Sequence, residues 1–451
     1  MANKTATGTV NRSLFSYDGK PAIGKIIPFS LQHVIAMFVG TVTVPMVVAN
    51  AAGATPEEQQ TLIQLALIMA GLATLIQVFP FKAGVTGSRV PIIMSVGFTF
   101  VPTLTVIGAQ YGLSAVFGAQ IIAGIVTIIL GYGIKYIRKF FPPFVTGTII
   151  LTIGLSLYPI AIKYMAGGEG APGYGSLQNW AIAGITLATV IICNMFCKGY
   201  LSQAGMVVGV VVGYIVSLFM GIVDFSGVGD ASWFTVPVPF RFGISFTPTA
   251  VIAIILLTVV NVMQTVGDLT GTTVGGFDRE PTSEELSGGI VGSGIITTLG
   301  ACFGGLPVST YSQNVGIVSM TKVVNRRVIG SAAGLMLVLG LVPKFSALMS
   351  TLPKAVVGGA TVVVFGMITL TGIRLLKEDL SQRNATIAGL ALALGMGLKM
   401  TPAAVAGFPE SMHVFLTEPI MVSGLFAFFM NLIVPKKTEE EEDEERKALD
   451  K

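Results

Sequence analysis

The chain has 451 residues, of which 52% are hydrophobic and only 11% charged, at a mean hydropathy of +0.79. Soluble domains carry about a quarter charged residues, so the composition excludes an ordinary soluble enzyme, a nucleic-acid binder and a disordered scaffold, and specifies an integral membrane protein. The net charge of +4 says little about partners, because an unbroken acidic run, Glu439 to Glu445, offsets basic residues scattered through the loops.

The first 26 residues carry Lys4, Arg12, Lys20 and Lys25 but no apolar core ahead of a small-residue cleavage site. No signal peptide is expected, and the first long apolar stretch should stay as a membrane span. A bilayer core takes about 20 apolar residues as helix. Runs of that order fall at 28–50, 61–79, 90–107, 113–134, 143–163, 177–196, 205–222, 247–267, 288–302, 307–320, 328–350, 354–374, 384–399 and 416–434, fourteen in all. The expected fold is therefore all-α with 14 transmembrane segments.

Basic residues test that count, because a missed span would invert every later loop. With the N-terminus inside, only Lys163, Arg241, Lys344, Lys354 and Lys399 of the 27 lysines and arginines fall outside. Both termini are then cytoplasmic, and the acidic end, 436–451, reads as a solvated tail. An even count divides into two sevens of opposite orientation, the inverted repeat of many secondary transporters.

The first span holds Gln32 and His33, the histidine being the only one within a span. A lone buried histidine is more often structural than functional. Spans 3 and 10 correspond under the inverted repeat, and both are irregular: Arg89-Val-Pro-Ile-Ile-Met-Ser-Val-Gly-Phe-Thr-Phe-Val-Pro102 and Leu306-Pro-Val-Ser-Thr-Tyr-Ser-Gln-Asn-Val-Gly316. Each is short, interrupted by Pro or Gly and rich in Ser and Thr, and reads as an extended piece leading into a half-helix. Such backbone is tolerable at membrane depth only when buried in protein or lining a cavity, and paired broken segments point to a substrate site. Two Pro-kinked packing helices are the plainer alternative.

Span 8 contains Asp268, the one carboxylate near the end of an otherwise apolar span, while Glu418 sits at the mouth of the last span. Placing a carboxylate in a span costs roughly 2.5 to 3.5 kcal/mol, which makes Asp268 a functional candidate and a candidate for protonation. Gln264 lies one turn earlier and shares its face. Asn261 reads as interhelical glue. Gln313 and Asn314 open the expected half-helix of span 10, where unpaired N–H groups are available to a ligand. Their amides offer a donor beside an acceptor, the complement of a planar edge with an N–H beside a C=O. Phe100, in the other broken segment, could stack on a flat ligand, although a single phenylalanine is more often lipid-facing or core.

Other features carry less. Gly288-Gly-Ile-Val-Gly-Ser-Gly294 lacks the setting and lysine of a nucleotide loop and reads as small-residue helix packing. Cys193, Cys197 and Cys302 have no metal or disulfide spacing and read as packing residues. His413 falls in an expected outer loop. No metal site, cofactor or enzyme motif is expected.

Gln313-Asn-Val-Gly-Ile-Val-Ser-Met-Thr-Lys322 resembles the signature of the nucleobase-ascorbate transporter family, in which Gln, Glu or Pro is followed by Asn, any residue, Gly, four of any kind, Thr and then Arg, Lys or Gly. Gly316 and Thr321 occupy its fixed structural positions. Gln32-His33 resembles the family's first-span pair, Gln264-Thr-Val-Gly-Asp268 its eighth-span motif, and Val96-Gly-Phe-Thr-Phe100 the segment bearing its stacking aromatic. The resemblance runs along the whole chain except the tails.

The resemblance implies a seven-plus-seven inverted repeat with segments 3 and 10 broken. It divides the chain into a cytoplasmic N-terminal segment 1–26, a core domain from 27–134 and 247–350, a gate domain from 135–246 and 351–435, and the tail 436–451. It implies a homodimeric plasma- or inner-membrane symporter working in an elevator-like way, with a nucleobase as substrate and a proton, or sodium, as coupling cation. Substrate contacts would come from Phe100, Gln264, Ser312, Gln313 and Asn314, with Asp268, His33 and Gln32 in the proton-coupling network. Gln at the signature's first position resembles the xanthine and urate branch. One departure stands out: the family usually has Glu where this chain has Gln264, and glutamine cannot titrate and brings its own donor. Uracil or another heterocycle therefore stays open as substrate, and an anion exchanger or channel on a related fold is the rival from another class.

Overall fold

The structure, a computed structural model, describes residues 13–82, 84–137 and 140–435. The first twelve residues and the expected acidic tail lie outside the described residues. The chain divides into two compact units, Met1–Tyr136 with Leu157–Met367 and Ile137–Ser156 with Ile368–Lys451.

The first unit opens with α1 (Ile23–Ala51) and α2 (Pro56–Val78). Helix α2 starts where the sequence offers a capping box: the Glu58 N–H donates to Thr55 Oγ1 at 3.3 Å, and the Thr55 N–H donates back to Glu58 Oε2 at 2.8 Å. These bonds satisfy donors that a helix start leaves orphaned. Next come strand β1 (Met94–Val96), a 3-10 turn at Phe98–Phe100 and α3 (Val101–Ile137), which breaks at Gly112 with φ 77°. That left-handed backbone favours glycine. Along the chain then follow α4 (Pro143–Met165), which belongs to the second unit as far as Ser156, and α5 (Leu177–Phe196), α6 (Gly205–Phe219), α7 (Pro248–Phe277) and α8 (Ser283–Phe303). Strand β2 (Val308–Thr310) leads into α9 (Ser312–Thr321), followed by α10 (Arg326–Gly340), α11 (Pro343–Ser350) and α12 (Lys354–Glu378).

Eight helices among the described residues are long and apolar enough to cross a membrane, or nine if α10 and α11, bent by 81°, form one span. Two shorter apolar helices, Gly205–Phe219 and Pro419–Ile433, accompany them. The protein is thus a multi-pass, mainly helical membrane protein.

At the centre of the first unit, β1 and β2 form an antiparallel ribbon pairing Met94 with Thr310, Ser95 with Ser309 and Val96 with Val308. Both strands are fully buried, so their outward backbone groups need partners from the surrounding helices. Polar residues in otherwise apolar helices supply them. Thr74 Oγ1 accepts from the Met94 N–H at 3.0 Å, Asn261 Nδ2 donates to the Val308 oxygen at 3.3 Å, and Thr297 Oγ1 accepts from the Val308 N–H at 3.3 Å. The Gln120 amide donates to the Thr297 and Gly305 oxygens at 3.1 and 2.7 Å. Asn261, expected to join helices, thus bonds the β2 backbone. Around the ribbon pack Leu65, Met69, Ile296 and Phe242.

Glycine lets the helices close on this ribbon. A Cβ at Gly97 would meet Ser309 Cβ at 2.6 Å, and one at Gly40 would overlap Tyr311. In the Gly288–Gly294 run, a Cβ at Gly292 would meet the Thr86 oxygen at 2.6 Å and one at Gly294 the Gly124 oxygen at 2.7 Å, the close backbone approach expected of small-residue packing.

Residues 13–20 are held against the start of α10. The Asn325 amide donates to the Ser16, Gly19 and Ser13 oxygens at 2.8, 2.9 and 3.4 Å. Tyr17 donates to the Val78 oxygen at 2.8 Å, and Asp18 pairs with Arg326 at 3.0 Å and Arg89 at 3.6 Å. Burial pushes the Tyr17 phenol above its usual range, which keeps it a donor.

In the second unit, α13 (Gln382–Met400), α14 (Glu410–Thr417) and α15 (Pro419–Ile433) follow α12. Arg383 closes the end of α15, donating to the Asn431 and Val434 oxygens at 2.9 and 2.7 Å, where a cation also suits the helix dipole. Glu418 is buried at the start of α15, and Lys399 donates to the Ser156 oxygen at 2.8 Å. His413 lies within α14, its Nε2 at 2.9 Å from the Phe408 oxygen.

Candidate functional site

The antiparallel ribbon places the starts of two helical segments at its opposite ends, the 3-10 turn after β1 and α9 after β2. Helix α7 runs beside both. Its face carries Gln264, Asp268, Gly271 and Gly275, spaced to stack along one side. The two glycines bring α9 close: a Cβ at Gly271 would meet Val315 at 3.0 Å, and one at Gly275 would overlap Ser319. This contact fixes the distance at which Gln264 and Asp268 confront the ribbon and the N-terminus of α9.

Asp268 is half-buried and takes hydroxyl donors on both oxygens, Thr310 on Oδ2 and Ser312 on Oδ1, the latter at 2.8 Å. Its charge also lies by the positive end of α9, which favours a carboxylate. Gln264, one turn away and also half-buried, accepts from Thr99 Oγ1 at 2.6 Å. The main-chain N–H groups of Asn314 and Val315 both go to the Tyr311 oxygen, at 3.0 and 3.3 Å. Those of Ser312 and Gln313 have no acceptor among the described residues. Gln313 itself is half-buried, and its amide makes no hydrogen bond among them. No atom would lie within 4 Å of a Cβ at Gly267 or Gly316, on α7 and α9 respectively, and both glycines are exposed. The N-terminus of α9 thus presents the Asp268 carboxylate beside two backbone N–H groups and a Gln313 amide that are unpaired among the described residues.

Asn314 points elsewhere, into the protein. Its Nδ2 lies 3.0 Å from both His33 Nδ1 and the His33 main-chain oxygen. Both residues are buried, and His33 Nε2, Asn314 Oδ1 and the neighbouring Gln32 Oε1 have no partner among the described residues. Phe100 is buried at 2% exposure beneath the ribbon. Phe98 makes the ring contact there, edge-on to Phe365 at 5.5 Å. Thr321 donates to the Ile317 oxygen at 2.7 Å near the end of α9.

The structure therefore brings together Gln264, Asp268, Ser312 and Gln313, and groups His33 with Asn314 behind them. Residues that sequence reasoning did not single out are Thr99 and Thr310, the hydroxyl partners of Gln264 and Asp268. Their signal was the concentration of Ser and Thr in both irregular segments. The three cysteines are free thiols, Cys193 buried and the others partly so. Among the described residues no group of three or more His, Cys, Asp or Glu could hold a metal ion.

Among solved structures, the transmembrane domain of the cyanobacterial bicarbonate transporter BicA is similar at a TM-score of 0.56 and 15% identity, over 91% of this chain and 98% of that one. The murine anion transporter Slc26a9 in its inward-facing state is similar at 0.57 and 13% identity, over 92% of this chain and 69% of that one. These likenesses concern the fold. Sequence relatives are closer: the xanthine permease of Bacillus subtilis is 33% identical over 93% of this chain and 97% of its own length, and the uric acid permease PucJ of the same organism 33% identical over 92% and 94%. XanQ, a xanthine permease of Escherichia coli, is 31% identical over 94% of both chains. A family model described as a permease family matches residues 24–404, and the chain belongs to that family, the nucleobase-ascorbate transporters.

Proposed function

We propose that this permease imports a purine nucleobase of the xanthine or urate class, in symport with protons. The observation that carries the reading is the N-terminus of α9: among the described residues the Gln313 amide and the Ser312 and Gln313 N–H groups are unpaired, and Asp268 sits one hydroxyl away. An oxidised purine has C=O groups beside N–H groups, which match the donors and acceptors of a glutamine. The relatives named as xanthine and uric acid permeases support this substrate class. In this reading Gln264 and Gln313 grip the base, and Ser312 contributes its backbone. Phe100 backs the site from the opposite segment, and Asn314 with His33 and Gln32 braces it.

Asp268 is the group that takes the coupling proton. When it is protonated, one of its two hydroxyl partners can turn from donating to accepting, which lets the site bias one transporter state over another. Sodium coupling is the alternative for the cation. The fourteen-segment, seven-plus-seven arrangement is supported by the break at Gly112, which divides α3, and by the matching order of strand then helix in the two irregular segments. The proposed core (27–134, 247–350) moves against a gate (135–246, 351–435) in an elevator-like way. The permease acts as a homodimer, in the plasma or inner membrane with both termini cytoplasmic. An anion exchanger suits the site less well, because Asp268 would confront the ion.

The test is uptake of labelled xanthine and urate by cells lacking their own purine permeases, with and without a protonophore. Accumulation that collapses with the protonophore supports proton symport. Uptake of neither purine overturns the substrate class, and protonophore-insensitive, sodium-dependent uptake overturns the choice of cation.

A further inference from the structure

The Gln264 amide has one hydrogen-bond partner, Thr99, and one carboxylate neighbour, Asp268. Thr99 Oγ1 donates to Oε1 at 2.6 Å, and Asp268, one turn along the same helix face, lies within interaction reach of the amide. A carboxylate repels an amide oxygen and attracts an NH2 group, so the amide turns its nitrogen toward Asp268 and its oxygen toward Thr99. Thr99 is buried at 4% exposure, whereas Gln264 is half-buried. An NH2 group has two hydrogens. One faces the carboxylate, and the second remains for a ligand.

We propose that Thr99 is a positioning residue that fixes the Gln264 amide nitrogen-outward, so that the transported base meets this position with an acceptor, a carbonyl oxygen or an unprotonated ring nitrogen, and not with an N–H. The inference rests on the nucleobase reading and narrows it. A glutamate here would select a ligand N–H; the locked amide reverses the requirement. Flipping the amide to accept from the ligand would break the Thr99 bond and turn an oxygen toward Asp268. A site built to donate one hydrogen bond rejects ligands unable to accept it.

The test compares the unaltered protein with Thr99→Val, Thr99→Ser and Gln264→Glu in permease-deficient cells. Labelled xanthine or urate, whichever is accumulated, is challenged with analogues in which one C=O is replaced by the weaker acceptor C=S, or one ring N–H by N-methyl. Membrane abundance is followed by immunoblot. The unaltered protein should lose about tenfold in apparent affinity for one of the thio analogues, the worth of a single net hydrogen bond. Thr99→Val should bring that oxo-to-thio ratio toward one, and Thr99→Ser should restore it. Gln264→Glu should also abolish the ratio and make one N-methyl analogue a poorer competitor.

An unchanged ratio in Thr99→Val at normal abundance overturns the proposal. Should that variant fail to reach the membrane, a ratio retained by Gln264→Glu overturns it instead. If the unaltered protein carries no purine, the nucleobase reading fails and this one with it. Uptake with a ratio that no variant moves sinks only the positioning of Gln264.

Discussion

Asn314 spans from α9 to α1 and lies 3.0 Å from both the ring nitrogen Nδ1 and the main-chain oxygen of His33 through one amide nitrogen. Only NH2 can face a carbonyl oxygen at that distance without repulsion, so the same nitrogen donates to Nδ1. His33 Nδ1 must then carry its lone pair, and the ring proton sits on Nε2. A second proton on Nδ1 would confront an N–H. While this contact holds, His33 stays neutral.

Replacing Asn314 with Ala leaves the buried His33 Nδ1 without its donor, and should cost about 1–3 kcal/mol. Thermal unfolding in detergent, followed for Asn314→Ala, His33→Ala and the double variant, checks the contact directly. The double variant should lose less than the sum of the single losses. Losses that add to within about 0.5 kcal/mol would mean the pair has no energetic coupling.

Asp268→Asn keeps the size of the side chain but presents an NH2 group to one of the Thr310 and Ser312 hydroxyls that now donate to a carboxylate. Hydroxyls can turn round to accept, so the cluster should survive, and substrate exchange across the membrane should stay within about tenfold of the unaltered protein. Accumulation driven by a pH gradient should collapse, because no group at this position can then change charge. Accumulation at the original level would remove Asp268 from the coupling role.

The parts of this site legible in the sequence were those that clash with their surroundings. Asp268, Gln264, His33 and Asn314 stand out because polar groups in apolar spans need a reason. Helix α1 (Ile23–Ala51) was visible as the run 28–50, because a long apolar stretch has no competing explanation. Thr99 and Thr310 were not legible as partners. Hydroxyls in helices usually return to the carbonyl one turn back, as Thr265 does to the Asn261 oxygen at 2.8 Å. Only the fold brings Thr310 to Asp268, across 42 residues, and Thr99 to Gln264, across 165. The anchoring of segment 13–20 was not legible for a related reason: Asn325, which holds it, lies some three hundred residues away.

Two glycines near the site make opposite predictions. At Gly97 a Cβ would meet Ser309 Cβ at 2.6 Å, so Gly97→Ala must push the strands of the ribbon apart. Overpacking of this kind costs about 1–3 kcal/mol. At Gly316 nothing lies within 4 Å, and φ there needs no glycine, so Gly316→Ala should leave stability unchanged or slightly raised. A loss of uptake in Gly316→Ala at normal melting temperature would then report on the proposed substrate site at α9. Equal melting temperatures for the two variants would contradict the close packing of the ribbon at Gly97.

The last prediction concerns the N-terminal segment. Asn325 caps α10, its Oδ1 accepting from the Arg327 N–H at 3.0 Å, while its Nδ2 serves the Ser13, Ser16 and Gly19 oxygens. A single amide therefore holds the helix start and the segment together. Asn325→Ala removes the cap and the anchor at once, whereas Asn325→Ser can restore the cap but is too short to reach all three carbonyls. Limited proteolysis in detergent should separate the two functions. Both variants should be cut within residues 13–20 much faster than the unaltered protein, and Asn325→Ser should recover about 1 kcal/mol of the thermal stability that Asn325→Ala loses. Cleavage of Asn325→Ala at the original rate would mean that Tyr17 on the Val78 oxygen and Asp18 between Arg89 and Arg326 suffice to hold the segment.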